Sequence, residues 1–592
     1  MNKGKNTYPL THPQKRIYFT ELLNYGSSVN NVCALIKIHH EVNYNLLNKA
    51  INEMINENNN FCIKLKKQNG QDEPVQYFTE HKERSFDYLD FSSDIDSLKL
   101  DEWLNYKSQE PFELFNSDLY YFCLIKTGES ETIIYSKFHH IIFDGLSFAN
   151  MEKQLAYKYR CLSEGIEYSN NLKSDYEIFI KNEDRYLNSQ RFIADGDFWE
   201  EEFRSIPLIT GIKSYNPLIT STESLRETFV VEENLHSMLK KFSRNYDFSI
   251  YTIFVACLQL SIHRWVSSDD VTIGMAYGNR GGKNEKELMG MMVSTVPFRM
   301  NIDDEEGILN FLNQVAKKQM KILRHQKYPF NLLTEKIRKN SDCFDRFFGI
   351  SIDYRSINFC EEVIWIPNKH EVYDFNIHIE DRLHTGDLVL LVDYRTQLFS
   401  NQEIKSFISS MLAMLENILT KPKQKVMEIS ALSNEEKKLQ FEDFNKTNLA
   451  IPSLNRLAHQ VVEDQARKRP DAIAVVCGME SITYRELNEQ ANRLAHWLRS
   501  QGFGREDLAA ILAERGIEMV IGILAVLKSG GAYAPLDSAH PDDRICTILE
   551  ESNARIVLTE ERWQSRSLEL SKRVSQDAVV FSLDTGGSYM GL

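Results

Sequence analysis

The sequence predicts a mixed α/β protein that folds as more than one domain, and three observations carry this prediction. The chain has 592 residues, too many for one hydrophobic core at roughly 150 residues per domain. Up to about Phe444, apolar segments with strand-like patterns are interleaved with helical patterns. From about Arg456 the composition shifts from Asn, Lys, Ile and Tyr to Ala, Arg, Leu and Glu, which indicates a separate domain.

Four segments of the first part predict strands because their apolar residues alternate or run together. They are VCALIKIHH (32–40), YYFCLIK (120–126), TIIYSKF (132–138) and DLVLLVDYR (387–395). The run SIYTIFVACLQLSIHRW (249–265) is apolar almost all round, which predicts a helix buried in a large domain. We therefore interpret its His263 as a structural histidine with satisfied hydrogen bonds.

The segment NKTNLAIPSLN, residues 445–455, carries loop-forming signals and predicts the linker between the two parts. Beyond it, Glu486 follows Thr483 by three positions at the start of a helical pattern. That spacing is typical of a capping box, in which the two residues exchange hydrogen bonds at the helix N-terminus. Residues 456–592 are therefore predicted to form the second domain.

Composition and charge exclude several classes of protein. Hydrophobic residues make up 42% and charged residues 26% of the chain, as in ordinary globular proteins. The net charge of −15 argues against a nucleic-acid surface. The nine cysteines form no C-x-x-C pair, which is typical of reduced, cytoplasmic residues. The apolar run at 519–527 is far shorter than the roughly 20 residues of a spanning helix, so no membrane association is expected.

The segment SKFHHIIFDGLSF, residues 136–148, carries the candidate chemistry. Neighbouring residues on a strand point to opposite faces, so one of His139 and His140 is expected to be structural. An imidazole with an ordinary pKa of about 6.5, held through one ring nitrogen, can accept a proton or orient an amine with the other. We interpret His140 as that residue, and Asp144 as a charge that holds the loop.

Other interpretations of this segment stay open at this stage. Adjacent histidines are more often surface or core residues than catalytic ones. Two histidines and an aspartate can also bind zinc, although no third imidazole or thiolate stands at ligand spacing. The full pattern His-His-x-x-x-Asp-Gly is rare by chance, and this favours a function.

HHIIFDG, His139 to Gly145, resembles the active-site motif of the condensation domains of nonribosomal peptide synthetases, which share a fold with chloramphenicol acetyltransferase. Other segments resemble further motifs of that family in the expected order, over about residues 8–440. They are LTHPQKRIYF (10–19), YEIFIKNEDRYLNSQRFIADGDFW (176–199), GMMVSTVPFR (290–299) and HQKYPFNLL (325–333).

The resemblance implies two chloramphenicol-acetyltransferase-like α/β lobes in a V-shaped pseudodimer, 1–178 and 179–444, with a tunnel between them. His140 matches the family's second histidine, which acts as a base or as a positioning group. Asp144 matches an aspartate that supports the site, and Arg280 matches the arginine that pairs with it. In the family's reaction an amine on one carrier protein attacks an acyl thioester on another, and an amide forms.

The expected reaction passes through a tetrahedral oxyanion, so a hydrogen-bond donor should approach its oxygen. The Gly145 amide at the start of the next helix is our candidate. The chain is expected to bind no cofactor of its own, because carrier proteins deliver the 4′-phosphopantetheine arms and acyl-CoA is an alternative donor. Specificity stays open at two departures from the family, ENNNFCIKL (57–65) and Ser294 in place of Asn.

Residues 456–592 resemble the N-terminal part of an adenylation domain through ITYREL (482–487) and VLKSGGAYAPLD (526–537). The Thr/Ser/Gly-rich phosphate loop of that family does not occur in them, so no amino-acid activation is expected. DTGGSYMGL (584–592) lacks the lysine and the following helix of a phosphate loop. It also stands too close to the second adenylation motif to be a carrier-protein site.

These patterns predict an acyltransferase that forms amide bonds in lipopeptide or antibiotic biosynthesis, acting as a monomer. About seven residues precede YPLTHPQKR, so the donor is expected on another chain. This favours a starter-type domain that N-acylates the first amino acid with a fatty or other acyl group. The alternatives are elongation with a peptidyl donor that another subunit delivers, a non-catalytic recruiting domain, and a free-standing acyltransferase that uses acyl-CoA.

Overall fold

The computed structural model describes residues 6–68, 70, 72–92, 97–167, 175–207, 211–213, 220–340, 344, 346–356, 359–382, 386–447 and 455–584. The chain divides into two compact units, Met1–Glu442 and Asp443–Leu592. This division falls beside the predicted linker 445–455, of which residues 448–454 lie outside the described part. The terminal segment DTGGSYMGL lies outside it too, except for its first residue.

The first unit alternates strands and helices along its whole length. Its strands are β1 (Thr7–Pro9), β2 (Asn31–Ile38), β3 (Ile63–Lys66), β4 (Val75–Phe78), β5 (Asp87–Asp90), β6 (Tyr120–Lys126), β7 (Thr132–His139), β8 (Ser224–Val230), β9 (Asp270–Tyr277), β10 (Ser294–Asn301), β11 (Ile350–Arg355), β12 (Glu362–Ile366), β13 (Phe375–Arg382) and β14 (Asp387–Arg395). Its helices are α1 (His12–Leu23), α2 (Tyr44–Glu57), α3 (Ser97–Gln109), α4 (Gly145–Glu164), α5 (Tyr176–Leu187), α6 (Gln190–Glu202), α7 (Glu233–Tyr246), α8 (Ile250–Val266), α9 (Lys283–Glu287), α10 (Ile308–Arg324), α11 (Phe330–Asn340), α12 (Asn401–Thr420) and α13 (Asn434–Lys438). The predicted strands at 120–126, 132–138 and 387–395 are confirmed as β6, β7 and β14.

The first lobe is a sheet with helices on both faces. Within the described residues its strands follow the order β12-β2-β7-β6-β5, beside a smaller sheet β1-β4-β3. Helices α2 and α4 cover one face of β7, where Ile134 and Phe138 pack. Helix α3 covers the other face, where Ile133 and Tyr135 pack. All of β7 is buried for this reason, and the candidate histidines leave the sheet from its interior.

The second lobe packs a six-stranded sheet of described strands, β10-β9-β11-β13-β14-β8, against α8, α10 and α12. The prediction of a buried helix at 249–265 is confirmed by α8, whose middle is fully buried. His263 is 4% exposed. Its Nδ1 lies 2.9 Å from the Ser268 carbonyl oxygen and its Nε2 lies 3.2 Å from Asp304 Oδ1, so the structural interpretation of this residue holds.

Segments beyond residue 178 also pack in the first lobe, and the division of the chain into 1–178 and 179–444 stays a prediction. Strand β12 belongs to the second range, yet it pairs antiparallel with β2 of the first-lobe sheet. Met289, Met291 and Met292 likewise pack in the first-lobe core. The physical reason is that β2 would otherwise present an unpaired sheet edge. Segments from both ranges therefore build the first lobe.

The second unit is a smaller α/β domain. Its strands are β15 (Ile473–Cys477), β16 (Glu480–Thr483), β17 (Leu508–Leu512), β18 (Ala532–Pro535), β19 (Ile556–Thr559) and β20 (Val579–Ser582). Its helices are α14 (Ala458–Lys468), α15 (Tyr484–Ser500), α16 (Ile517–Ser529), α17 (Asp542–Ser552) and α18 (Glu561–Val574). Strands β18-β17-β19-β20 form a parallel sheet. The predicted capping box is confirmed at α15, where Thr483 and Glu486 exchange hydrogen bonds of 2.9 and 3.2 Å.

Among the described helices of both units, none has the length and apolar character needed to cross a membrane.

Candidate active site

The candidate site lies where β7 ends and α4 begins. A 3₁₀ turn, His140–Ile142, follows the strand directly. Asp144 is extended, with φ −132° and ψ 174°, and is the N-cap of α4. The turn therefore ends before Asp144, because a residue that caps a helix with its side chain takes an extended backbone conformation.

His139 is buried and holds the turn. Its Nδ1 accepts a hydrogen bond of 3.1 Å from the Ile141 N–H, so the hydrogen of the neutral ring lies on Nε2. That nitrogen is 3.4 Å from Glu21 Oε2. Both ring nitrogens of His139 therefore face protein atoms, which fits the expectation that one histidine of the pair is structural.

The ring of His140, unlike that of His139, is hydrogen-bonded through one nitrogen only. Its Nδ1 lies 2.7 Å from the carbonyl oxygen of Phe143. A carbonyl oxygen can only accept, so Nδ1 carries the hydrogen and Nε2 carries the lone pair of the neutral ring. The residue is half-buried, and within the described part of the chain Nε2 makes no hydrogen bond. It is the nitrogen available to a substrate.

The surroundings of His140 keep the ring neutral. Burial lowers the pKa of His140 below its ordinary value of about 6.5, since a buried imidazolium loses hydration. Asp144 opposes this shift and the positive charge of Arg16 adds to it. Near pH 7 the Nε2 lone pair is therefore free to take a proton or to orient an amine.

Asp144 is fully buried and accepts six hydrogen bonds. Arg280 donates two, of 3.1 and 2.9 Å. Ser147 donates two, of 2.9 Å from its N–H and 2.8 Å from its hydroxyl. The N–H groups of Met292 and Val293 donate the others, at 3.1 and 3.2 Å. Burial opposes ionisation, but Arg280 and Ser147 lower the pKa of Asp144 below its usual value. Asp144 is thus an ionised anchor that brings Arg280 to the site.

Sequence reasoning missed two buried amides that support the turn. Gln14 Nε2 donates to the Ile141 carbonyl at 3.1 Å, and Asn60 Nδ2 donates to the Ile142 carbonyl at 3.3 Å. Both residues are fully buried. Asn60 lies in ENNNFCIKL (57–65), a departure from the family's motif, and no periodic pattern marks either amide.

Gly145 is the first residue of α4 and directly follows its N-cap Asp144. A Cβ atom built at Gly145 would have no protein atom within 4 Å. The space beside this residue is therefore open. The predicted role of its amide as an oxyanion donor stays a prediction.

A cavity of about 520 Å³ opens elsewhere in the first lobe. Its walls come from β2, β7, α2, α4 and the segment before β12, and they include Ile36, Ile134, Glu152 and Leu155. His140 is not among its lining residues. In the described ranges, no three His, Cys, Asp or Glu side chains are grouped so that they could hold a metal ion.

Comparison with known families identifies the first unit. The Condensation domain family matches residues 4–440. The chain belongs to this family. The AMP-binding enzyme family matches residues 462–589, so part of an adenylation-type domain follows the condensation domain, as predicted.

The relatives are components of nonribosomal peptide synthetases. The chain is 33% identical to a plipastatin synthase protein of Bacillus subtilis (strain 168) over 94% of its own length and 22% of that protein. It is also 33% identical to surfactin synthase subunit 1 of the same strain, over 94% of its length and 16% of that protein. The chain thus spans less than a quarter of each of these relatives.

A solved structure supports the fold of the first unit. The first condensation domain of the calcium-dependent antibiotic synthetase aligns with a TM-score of 0.64 at 17% identity, over 72% of this chain and 99% of that one. The predicted two-lobed condensation fold is confirmed.

Proposed function

We propose that the first unit catalyses amide-bond formation, in which the amine of a carrier-bound aminoacyl group attacks the carbonyl carbon of an acyl thioester. The observation that carries this proposal is the arrangement of His140. Its ring is neutral, Nδ1 is fixed on the Phe143 carbonyl at 2.7 Å, and Nε2 makes no hydrogen bond to any described residue.

The reaction follows from that arrangement. The amine lone pair forms the new C–N bond while the carbonyl π pair moves onto oxygen. His140 Nε2 accepts the amine proton, or holds the amine in line for attack. When the carbonyl re-forms, the C–S bond breaks and the thiolate leaves, taking the proton from His140. The products are an amide and a free thiol. Asp144 stays ionised throughout, because its six hydrogen bonds, two of them from Arg280, stabilise the charge.

We further propose a starter role, with a fatty or other acyl donor. The relatives at 33% identity include surfactin synthase subunit 1, and the donor assay below decides between this role and elongation. The partners would be carrier proteins that present 4′-phosphopantetheine arms, with acyl-CoA as an alternative donor and a cytoplasmic monomer as the acting form. Elongation with a peptidyl donor is the second candidate within the same chemistry.

Mass spectrometry of an aminoacyl carrier tests both proposals. The carrier is incubated with the chain and with acyl-CoA, acyl carrier or peptidyl carrier in separate reactions. We expect acylation of the amine by acyl-CoA or acyl carrier, and loss of product with His140→Ala. The matched control is His39→Gln, whose side chain is 59% exposed. Product from the peptidyl carrier and from no other donor would favour elongation. No product with any donor would favour a recruiting role.

A further inference from the structure

We infer that Arg16, on α1, is a further catalytic group of this chain: its guanidinium stabilises the negative charge that forms on the carbonyl oxygen of the acyl donor. This inference rests on the proposed function. It assigns a role to a side chain that the motif around His140 does not contain. The argument comes from where the guanidinium lies, from what it does not pair with, and from its effect on its neighbours.

Helix α1 carries Arg16 to the turn that presents His140. Two residues earlier, Gln14 Nε2 donates to the Ile141 carbonyl at 3.1 Å, so α1 and the turn are joined directly. Arg16 Nη2 donates to the Val293 carbonyl at 3.0 Å. The N–H of Val293 in turn donates to Asp144 Oδ2 at 3.2 Å. Val293 therefore links Arg16 to Asp144, the carboxylate that caps α4.

Arg16 differs from the neighbouring cations because no carboxylate of the described residues lies within 4 Å of it. Its neighbour Lys15 pairs with Glu73 at 2.9 Å, and Arg280 pairs with Asp144 at 2.9 Å. The Val293 carbonyl uses one of the five N–H groups of the Arg16 guanidinium. Tyr373 also lies close enough to act on the charge of Arg16, and the guanidinium N–H groups that no described hydrogen bond uses remain for solvent or for a ligand, since the residue is half-buried.

An unpaired cation in a partly desolvated position is costly unless an anion compensates it. Burial lowers the pKa of Arg16, and the charge of Arg16 helps to lower the pKa of His140. The protein thus keeps a positive potential next to the imidazole. A positive potential at this point has a use in the reaction, because the substrate carbonyl acquires a negative charge there.

The negative charge on the carbonyl oxygen of the acyl donor forms and disappears within the reaction. As the amine forms the C–N bond, the carbonyl π pair becomes an oxyanion, to which Arg16 N–H groups donate. As the C=O bond re-forms and the C–S bond breaks, the pair leaves the oxygen and the hydrogen bonds weaken. Arg16 neither gains nor loses a proton. It would act together with the predicted Gly145 amide, which is a weaker, neutral donor.

Single-turnover acyl transfer to an aminoacyl carrier, with the donor that the wild type uses best, tests this inference. Arg16→Gln should lower kcat by about 10²–10³-fold with little change in the KM of the acceptor, as for the loss of an oxyanion donor. Arg16→Lys should keep part of the rate, because the point charge remains while the planar fork is lost. Lys15→Gln is the matched control on the same helix and should react like the wild type.

The pH profile separates catalysis from a structural tie between α1 and Val293. The charged and titratable groups around His140 are Arg16 on α1, Asp144 with its partner Arg280, and the pair of Glu21 and His139. In Arg16→Gln the acid limb of the rate should move to higher pH, because a positive charge next to His140 is gone. Circular dichroism should show an unchanged fold, and millimolar guanidinium should restore part of the rate of Arg16→Ala.

Three results would overturn the inference. One is a wild-type rate in Arg16→Gln. Another is an equal loss in the Gln and Lys variants with an unmoved acid limb and no guanidinium rescue. If Arg16→Gln does not fold, a folded but fully inactive Arg16→Lys would decide against it. An inactive wild type would overturn the proposed function as well, whereas an active wild type with an unaffected Arg16→Gln overturns this inference and leaves that function standing.

Discussion

Each lobe of the first unit holds a histidine at its main sheet, and the ring nitrogens of these two histidines have different partners. In the first lobe, His140 Nδ1 contacts a backbone carbonyl and Nε2 is left to the substrate. In the second lobe, His378 on β13 is 8% exposed. Its Nδ1 is hydrogen-bonded to Asp353, and its Nε2 lies 3.4 Å from Asp393 Oδ2.

The difference lies in how the neighbouring carboxylates contact the ring. Asp353 and Asp393 lie against the two ring nitrogens of His378, whereas Asp144 directs its hydrogen bonds to Arg280, Ser147 and two backbone N–H groups and raises the pKa of His140 less than burial lowers it. At His378, burial and Arg355 oppose protonation, but Asp353 and Asp393 outweigh them and raise its pKa. At His140 burial dominates and the pKa falls. A neutral ring with one free nitrogen suits proton transfer, whereas a ring bonded at both nitrogens suits structure.

The largest expected effect separates the two histidines by activity. His140→Ala should lower kcat by about 10²–10⁴-fold, the usual contribution of a general base, while its urea unfolding midpoint stays close to that of the wild type. His378→Gln should reduce stability and leave the rate per folded molecule unchanged. Single-turnover assays and urea unfolding on the same preparations measure both. A His140→Ala variant within tenfold of the wild-type rate would restrict His140 to positioning.

The next effect concerns the buried ion pair between Arg280 and Asp144, the carboxylate near His140. Arg280→Gln leaves the buried Asp144 without its cation, which should cost about 3–5 kcal/mol of folding free energy. Arg204→Gln is the matched control, because Arg204 forms an exposed pair with Glu201 and such pairs contribute about 0–1 kcal/mol. Urea denaturation followed by tryptophan fluorescence gives both values. A loss below about 1 kcal/mol for Arg280→Gln would mean that Asp144 does not depend on its pair.

A smaller effect is the pH dependence, which should appear in the stability of the fold through His378 and in the reaction rate through His140. A pKa raised in the folded state stabilises the protein below the unfolded value of about 6.5 and loses that contribution as pH rises through the folded pKa. The free energy of unfolding should therefore fall above about pH 6.5 by about 1.4 kcal/mol per unit of difference between the folded and unfolded pKa of His378. His378→Gln should remove that slope.

The acid limb of the rate should lie below about pH 6.5, because the pKa of His140 is lowered. A limb above this value would contradict the assignment.

Local periodicity explains what could be predicted from the sequence. The strands β6, β7 and β14, the helix α8 and the capping box of α15 follow from patterns within a few residues. The motif His-His-x-x-x-Asp-Gly, through its resemblance to a family, pointed to His140, Asp144 and Arg280 before any geometry was known. A strand end followed by a helix start could also be read from alternation that changes to helical spacing.

Long-range contacts explain what could not be predicted. Two of the donors to Asp144 are backbone groups of Met292 and Val293, which lie 148 and 149 residues away along the chain. The exchange of β12 into the first-lobe sheet depends on an edge of β2 that no local pattern reveals. Asn60 supports the turn from within an asparagine run whose composition predicts a loop. Such partners are set by packing, and they carry no periodic signal.

The smallest expected effect probes the open space at Gly145, with Gly290 as a contrast. Gly145→Ala should leave the free energy of unfolding unchanged or raise it by about 0.4–1 kcal/mol, because the new methyl group meets no protein atom within 4 Å. Gly290→Ala is the contrasting control, since its φ is +149° and its Cβ would lie 2.2 Å from the Tyr176 ring. It should destabilise the fold. If the space at Gly145 holds the reacting thioester, Gly145→Ala should slow acyl transfer several-fold despite its intact stability, because the methyl group displaces the carbonyl from His140 and from the Gly145 amide. Equal rates for Gly145→Ala and the wild type with every donor would place the reacting groups on another side of the ring.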